Sequence, residues 1–421
     1  MENLSEINLD PAVRPRGDKE KETIMSKQIQ DAYICAAIRT PVGKAPRGVF
    51  KVTRPDDLLA HCLKGLTSKV TNLNLAEIGD IIVGCAMPEA EQGMNVARIA
   101  LLLAGYPNSV PGMTINRFCS SGVQAVSLAA DKIRMGEADL MIAAGTESMS
   151  LIPMMGHKIV MNPAFFKDEN INIAYGMGIT AEKVAQKWNI SREAQDIFAY
   201  ESHKKACLAI KNGEFSEEIL PYALTESVPG KIGEIITSSK LINLDEGPRP
   251  DTTVEALAKL KTVFSAKGSV TAGNSSQMSD GAAVILLASE SAMKKYNLVP
   301  LARFVTFAVA GVPPEIMGIG PKEAIPLALK QANLKQDDIG WIELNEAFAA
   351  QSLAVMKDLN LNPELVNPLG GAIALGHPLG ATGAVRTATL VHGMRRHKKK
   401  YGMVTMCIGT GMGAAAIFES M

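Results

Sequence analysis

A short motif occurs twice in this chain, as Glu77-Ile78-Gly79-Asp80-Ile81-Ile82 and again as Asp338-Ile339-Gly340-Trp341-Ile342-Glu343. A second matching pair lies further along, where Ser121-Gly122 and Thr382-Gly383 each precede a helical pattern. In both pairs the matching glycines are 261 positions apart. Equal spacing at two separate places indicates a duplicated α/β unit, although short glycine-containing strings can also agree by chance.

Continuous apolar runs bounded by glycine recur between helical patterns, at residues 31–38, 81–83, 140–144, 284–288, 341–344 and 403–406. Runs without polar alternation are typical of strands that are covered on both faces, which predicts a layered α/β fold. The more charged region at 151–279 looks like an insertion. We therefore expect a flexible N-terminal tail at 1–29, a first half at 30–150 and 280–299, an inserted loop domain at 151–279 and a second half at 300–421.

The overall composition argues against several classes of protein. Lys and Arg total 43, Asp and Glu also total 43, and aromatic residues make up only 5% of the chain. A balanced charge with few aromatics does not favour nucleic-acid binding, and no apolar run reaches the roughly 18 residues of a membrane span. The six cysteines form no Cys-x-x-Cys pair, so we expect reduced thiols and no metal site.

Two of the cysteines lie in turns of small residues and glycine. Cys119 is followed by Ser120-Ser121-Gly122 and then by apolar positions spaced as on one face of a helix. At a helix N-terminus the free N–H groups and the helix dipole favour a thiolate, which is a nucleophile. Cys407 follows a strand-like run and enters Gly409 and Gly411. We expect it to be a second thiol that moves protons.

Three further residues have the chemistry to assist such a thiolate. His377 lies in the glycine-rich string Gly376-His377-Pro378, which indicates close backbone packing and a fixed ring. The N–H of Gly409 can donate to an oxyanion. Asn345 follows the strand at 341–344, at the edge of the sheet where ligands usually bind, and can hold a water.

Each of these residues also has a purely structural interpretation. Cys119 and Cys407 can be passive thiols at tight turns, and His377 can cap a loop. Asn345 can be the N-cap of the next helix, a common role for asparagine. The basic run at 395–400 is best explained as a solvated helix end.

Taken together, the motifs resemble those of the thiolase family over residues 31–419. The strings are NRFCSSG at 116–122, TAGNSS at 271–276, NEAF at 345–348, GHP at 376–378 and CIGTG at 407–411. Each alone is a modest signal, but all five in this order are highly specific. The chain most resembles the degradative 3-ketoacyl-CoA thiolases of the peroxisomal type, through CSSG at 119–122, GNSSQ at 273–277 and GVPPEIMG at 311–318.

The resemblance implies two similar halves in a five-layer αβαβα sandwich, with a loop domain inserted in the first half. It implies that Cys119 accepts the acyl group, His377 activates it and Cys407 moves protons, while Asn345 positions an oxyanion-hole water beside His377. Arg249 and Ser276 fall where the family contacts coenzyme A. Coenzyme A is then a co-substrate, no cofactor is bound permanently, and we expect a homodimer or homotetramer that works beside β-oxidation enzymes.

Two differences from the biosynthetic acetoacetyl-CoA thiolases favour the degradative branch of the family. Biosynthetic acetoacetyl-CoA thiolases often carry a histidine where Gly176 stands, and they favour Cys-Gly-Ser-Gly at the nucleophile. The biosynthetic reaction remains the alternative, ahead of a ketoacyl synthase or a non-catalytic acyl-CoA carrier or scaffold. Acidic residues near the N-terminus argue against a mitochondrial transit peptide, and the final Glu419-Ser420-Met421 is not a peroxisomal signal. With no secretory signal either, we expect a bacterial cytoplasmic protein, with translation starting at Met1 or Met25.

Overall fold

The computed structural model describes residues 29–421, so all but one residue of the predicted N-terminal tail lie outside the described residues. The described chain forms twelve strands: β1 (Tyr33–Arg39), β2 (Gly43–Lys44), β3 (Ile81–Gly84), β4 (Gly112–Ile115), β5 (Leu140–Ser148), β6 (Tyr222–Pro229), β7 (Ile235–Ile242), β8 (Ser279–Ala288), β9 (Ala302–Gly311), β10 (Ile339–Leu344), β11 (Tyr401–Ile408) and β12 (Met412–Ser420). Every apolar run that predicted a strand lies largely within one of them.

The same part of the chain forms eleven α-helices: α1 (Pro55–Lys69), α2 (Val96–Leu103), α3 (Ser121–Arg134), α4 (Met177–Trp188), α5 (Arg192–Lys211), α6 (Val254–Ala258), α7 (Glu290–Tyr296), α8 (Gly320–Ala332), α9 (Ala349–Leu359), α10 (Ala372–Leu375) and α11 (Leu379–Arg396). Short 3₁₀ turns connect several of them, and the turn at Phe118–Ser120 leads directly into α3. None of these helices is both long and apolar enough to cross a membrane.

The strand order confirms the duplication predicted from the repeated motif. In the first half the order is β4-β3-β5-β8-β1, and in the second it is β10-β11-β12-β9. The strands correspond in direction, because β3 runs parallel to β5 and β10 runs parallel to β11. The next two pairings in each half, β5-β8-β1 and β11-β12-β9, are antiparallel. A parallel bridge from Ile342 to Val366 takes the place of β4 beside β10. Two residue pairs between β1 and β9 join the halves into one sheet.

Successive side chains along a strand point to opposite faces of the sheet and enter different hydrophobic cores. Sheets and helices therefore form alternating layers. On β8, Ile285 and Leu287 face the core that contains α3 and α11, whereas Val284 and Leu286 face the core beneath α1 and α2. In the second half the outer core lies beneath α8. Helices α3 and α11 therefore lie between the two half-sheets, and the predicted five-layer arrangement is confirmed.

The two central helices meet at the matching glycines. A Cβ atom built on Gly122 would lie 2.5 Å from the backbone nitrogen of Ala384, and one on Gly383 would lie 2.2 Å from that of Val123. Only residues without a side chain allow the backbones of α3 and α11 to come this close. The repeated Gly122 and Gly383 thus allow the two halves to pack closely through α3 and α11.

Candidate active site

A strained turn presents Cys119 just before α3. Phe118 has a φ of 46°, the left-handed region that non-glycine residues rarely adopt. Its N–H donates to Asn116 Oδ1 (2.8 Å), and its carbonyl accepts from the Ser121 hydroxyl (2.7 Å), which holds the turn in place. Strain of this kind persists only where the surroundings fix it, and it is common at functional sites. Cys119 itself is 7% exposed.

Cys407 reaches the same place from the second half. It lies at the end of β11, paired with Gly413 of β12, and the turn between them includes Thr410 at φ 64° and Gly411 at φ 91°. A Cβ on Gly409 would lie 3.5 Å from the Phe118 ring, so this turn packs against the residue before Cys119. The structure therefore brings the two cysteine turns together.

His377 is held by its backbone and by both ring nitrogens. Its N–H contacts the Gln277 carbonyl (3.1 Å) and the Ser279 hydroxyl (3.0 Å). Nδ1 lies 2.6 Å from Thr382 Oγ1, and Nε2 lies 3.3 Å from Asn345 Nδ2. Because an amide nitrogen can only donate, this geometry makes Nε2 an acceptor and places the ring proton on Nδ1. His377 then has a lone pair on the nitrogen that faces Asn345.

Asn345 follows β10 directly, where its N–H donates to the Thr405 carbonyl (2.9 Å). Its side chain is 1% exposed, and among the described residues its Oδ1 has no hydrogen-bond partner. The N-cap interpretation is wrong, because α9 begins at Ala349 with Phe348 as its N-cap. Asn345 is thus free to take part in the site beside His377.

Burial controls the charge states of these groups. It raises the pKa of Cys119 to about 12, although the N–H groups of Cys119 and Gly409 oppose the rise and a negative charge on Glu147 adds to it. It also raises the pKa of Cys407, which the charge of Cys119 raises further. The pKa of His377 falls to about 3 through burial and the nearby Arg386 guanidinium.

The N–H groups near Cys119 lower the pKa of its thiol, but burial raises it by more, so the thiolate is not the favoured form in the free protein. Loss of hydration disfavours the charged form more strongly than the local N–H groups favour it. The free site contains neutral thiols and a neutral imidazole. A neutral His377 with an unprotonated Nε2 can accept a proton, which is what activation of a thiol requires.

The two residues expected to contact coenzyme A lie on neighbouring segments but not against each other. Arg249 is exposed, and its backbone N–H donates to His203 Nδ1 (3.2 Å). Ser276 is half-buried, and its N–H donates to the Ala347 carbonyl (2.9 Å), two residues after Asn345. The Gln277 amide joins the segments by donating to the carbonyls of Gly247 (3.1 Å) and Ala374 (3.1 Å).

Three residues beside the site were not predicted from the sequence. Thr382 contacts His377 Nδ1. Glu346 is buried and accepts from the Ile373 N–H (3.1 Å), in the segment that leads to His377. Glu147 is buried at the end of β5 and accepts from the Gly380 N–H (2.8 Å). A carboxylate three residues after the apolar run at 140–144 was the available signal for Glu147.

Comparison with known proteins agrees with this geometry. Residues 32–291 match the family model "Thiolase, N-terminal domain" and residues 298–420 match "Thiolase, C-terminal domain". The chain is 50% identical to a 3-ketoacyl-CoA thiolase of Bacillus subtilis over 93% of this chain and 100% of that protein. It is 47% identical to the human peroxisomal 3-ketoacyl-CoA thiolase over 92% of this chain and 91% of that one.

Solved structures show the same fold. The human mitochondrial 3-ketoacyl-CoA thiolase superposes with a TM-score of 0.83 at 38% identity, covering 93% of this chain and 100% of that one. An acetyl-CoA acetyltransferase of Bacillus anthracis also gives 0.83, at 37% identity over 94% of this chain and 100% of that one. With both family models matched and the cysteine turns brought together, this chain belongs to the thiolase family.

Proposed function

We propose that this protein is a 3-ketoacyl-CoA thiolase, which uses coenzyme A to cleave a 3-ketoacyl-CoA into acetyl-CoA and a shortened acyl-CoA. The observation that carries the proposal is the packing of the Cys119 turn against the Cys407 turn. A neutral His377 that contacts Asn345 supports it. The relatives named 3-ketoacyl-CoA thiolase, at 47–50% identity, support the degradative reaction. The structure titled acetyl-CoA acetyltransferase is 37% identical, so the biosynthetic alternative has less support.

In the first half-reaction, His377 Nε2 takes the proton of Cys119, and the sulfur attacks the 3-keto carbon. A water held by Asn345 and the imidazolium of His377 then stabilise the alkoxide. Preorganised donors of this kind contribute on the order of 3 kcal/mol each. The bond between carbons 2 and 3 breaks, its electron pair forms the acetyl-CoA enolate, and Cys407 protonates that enolate. The acyl group remains on Cys119 as a thioester.

In the second half-reaction, the Cys407 thiolate takes the proton from the thiol of incoming coenzyme A. The coenzyme A sulfur attacks the thioester, and its oxyanion accepts hydrogen bonds from the N–H groups of Cys119 and Gly409. Collapse expels the Cys119 sulfur, which regains its proton from His377. Two covalent half-reactions of this kind predict ping-pong kinetics.

Coenzyme A is proposed as co-substrate, with no permanently bound cofactor. We propose that the region at 151–279 is a domain inserted in the first half and that Arg249 and Ser276 contact coenzyme A from it. Arg249 supports this assignment because it is an exposed cation, which suits the phosphates of the ligand. We further propose that the protein is a homodimer or homotetramer in a bacterial cytoplasm. There it works beside enzymes that supply the ketoacyl substrate.

The decisive test is a coenzyme A-dependent cleavage assay with acetoacetyl-, 3-ketohexanoyl- and 3-ketohexadecanoyl-CoA. The protein should cleave the longer substrates, whereas activity on acetoacetyl-CoA alone would favour the biosynthetic alternative. Mass spectrometry after mixing with acyl-CoA should place the adduct on Cys119. Cys119→Ser should abolish turnover, and Cys407→Ser should slow it severely while still allowing slow acylation. An adduct on Cys407 would reverse the two roles.

A further inference from the structure

Glu147 forms a buried hydrogen-bond centre between the two halves of the protein. It is 1% exposed, and four N–H groups point at its carboxylate. Oε2 accepts from Ala86 (2.7 Å) and Gly380 (2.8 Å), while Oε1 accepts from Met87 (3.3 Å) and from the Gln92 side chain. Burial raises the pKa of Glu147, and the hydrogen bonds from the four donors oppose that rise. Four donors fill the acceptor sites of an ionised carboxylate, whereas a protonated one would point its own O–H at a donor.

One of these hydrogen bonds joins Glu147 to the segment that contains His377. Gly380 is the second residue of α11 and stands three positions after His377. A Cβ on Gly380 would lie 2.6 Å from Ala86 N and 2.8 Å from Glu147 Oε2. The first turn of α11 is therefore pressed against the carboxylate, and an anion is favourable at this end of a helix.

A second hydrogen bond connects Glu147 to the Cys119 turn through Ala86 and Asn116. The Ala86 N–H donates to Glu147, and the Ala86 carbonyl accepts from Asn116 Nδ2 (3.0 Å). Asn116 Oδ1 in turn accepts from the N–H of Phe118, the strained residue that precedes Cys119. One carboxylate oxygen thus connects the His377 segment with the Cys119 turn through a single residue, Ala86.

We propose that Glu147 is a positioning residue that fixes His377 relative to Cys119. It acts by holding the first turn of α11 against the Ala86 peptide. The proposal rests on the proposed thiolase function for its turnover readout, but its other readouts need no substrate. Glu147 touches neither the reacting sulfur nor the imidazole by hydrogen bonding, so its effect is on geometry and on the local field.

Two conservative variants distinguish the effect of the position of the Glu147 carboxylate from the effect of its charge. Glu147→Asp keeps the charge but shortens the side chain by one methylene, so its carboxylate no longer reaches both Ala86 and Gly380. Glu147→Gln keeps the length and one acceptor oxygen but loses the charge. We expect Asp to lower kcat by about 100-fold with a smaller change in KM, since small displacements at an active site have effects of this size. Gln should retain more activity than Asp.

The alkylation of Cys119 by iodoacetamide gives the second readout, followed as a function of pH by peptide mass spectrometry. Among the described residues, Glu147 and Cys407 interact electrostatically with this sulfur, and Arg386 acts on His377. Loss of a negative charge beside a thiol favours its thiolate. The alkylation midpoint should therefore fall in Glu147→Gln and stay near the wild-type value in Glu147→Asp.

Hydrogen exchange supplies the third readout, because the Gly380 amide is protected by Glu147. The peptide at 379–385 should exchange faster in Glu147→Asp than in the wild type. Glu218→Gln is the matched control, since Glu218 is a buried carboxylate that contacts α11 further along, at Thr389 (2.9 Å). That variant should lower the melting temperature but leave the alkylation midpoint and the exchange at 379–385 unchanged.

If the Glu147 variants fail to fold, Asn116→Asp tests the same connection from an exposed position. It keeps the acceptor for Phe118 and removes the donor to Ala86, so kcat should fall about tenfold with KM unchanged. Wild-type kcat per folded molecule in Glu147→Asp, or in Asn116→Asp, would overturn the proposal. A wild type that cleaves no ketoacyl-CoA would instead refute the proposed function, while the alkylation and exchange readouts would still test Glu147.

Discussion

Substitution of Gly383 by alanine tests the packing between the two halves. Alanine in a helix is normally more favourable than glycine by about 1 kcal/mol, so helix propensity alone predicts stabilisation. In α11 the new Cβ would lie 2.2 Å from Val123 N and 3.0 Å from Gly122 C, which are backbone atoms that cannot rotate away. Overpacking against such atoms costs about 3 kcal/mol, at the upper end of the usual range.

The net effect is a loss of about 2 kcal/mol in the free energy of unfolding. An unfolding entropy of roughly 0.8 kcal/mol/K for a chain of this length converts that loss into a fall of about 2–3 °C in melting temperature. Gly122→Ala should behave alike, since its Cβ would lie 2.5 Å from Ala384 N. Turnover should fall by about 100-fold, because a displaced α11 moves His377 away from Cys119.

Differential scanning calorimetry of the purified variants measures the effect, and Gly281→Ala is the matched control. Gly281 is likewise buried, in β8 of the central sheet, but its Cβ would approach nothing closer than 3.5 Å. Alanine there should leave the melting temperature unchanged or raise it slightly, because glycine weakens a strand. A Gly383→Ala protein as stable as Gly281→Ala would refute the steric argument.

Three further predictions concern single side chains. Thr382→Val leaves the buried His377 Nδ1–H without an acceptor, which costs about 1–3 kcal/mol, so kcat should fall by 10- to 100-fold while Thr382→Ser stays near wild type. Arg249→Ala should raise the KM for coenzyme A about threefold with kcat unchanged, since this exposed cation loses an ionic contact; an equal fall in kcat would contradict the assignment. Burial lowers the pKa of His203 to about 4, so the unfolded chain binds more protons below pH 6.5, and stability is lost as the pH falls towards 4. Thermal melts at pH 6.5 and 4.5 should show that the wild type loses about 2 kcal/mol more than His203→Asn, whereas parallel losses would exclude His203 as the cause.

The strands and the duplication could be predicted from the sequence because both depend on local patterns. The run at 81–83 forms β3 and the run at 403–406 lies in β11. Strands buried on both faces leave a continuous apolar signal, which does not depend on the neighbouring strand. The junction of β1 with β9 left no such signal, because its two residue pairs depend on how the halves pack.

The reactive residues of the site could be predicted from the sequence, but their protonation states could not. Cys119 and His377 stand in glycine-rich strings that are visible in the sequence, because close backbone packing needs glycine. The pKa of Cys119 depends on how completely the folded protein removes water, and no local string specifies that. For Glu147 the sequence signals a carboxylate near the end of a strand but not its role, since its four donors come from segments distant in the sequence.

The burial that raises the thiol pKa values also explains how the site can limit side reactions. An isolated thiolate is costly here, because burial removes most of its hydration. Transfer of a proton from Cys119 to His377 forms a pair with no net charge, so its desolvation cost is smaller than that of either ion alone. A bound carbonyl then takes up the negative charge as the sulfur attacks. A nucleophile that forms mainly when its acceptor is present is protected from other electrophiles, and the packing of the two halves through Gly122 and Gly383 makes that protection part of the fold.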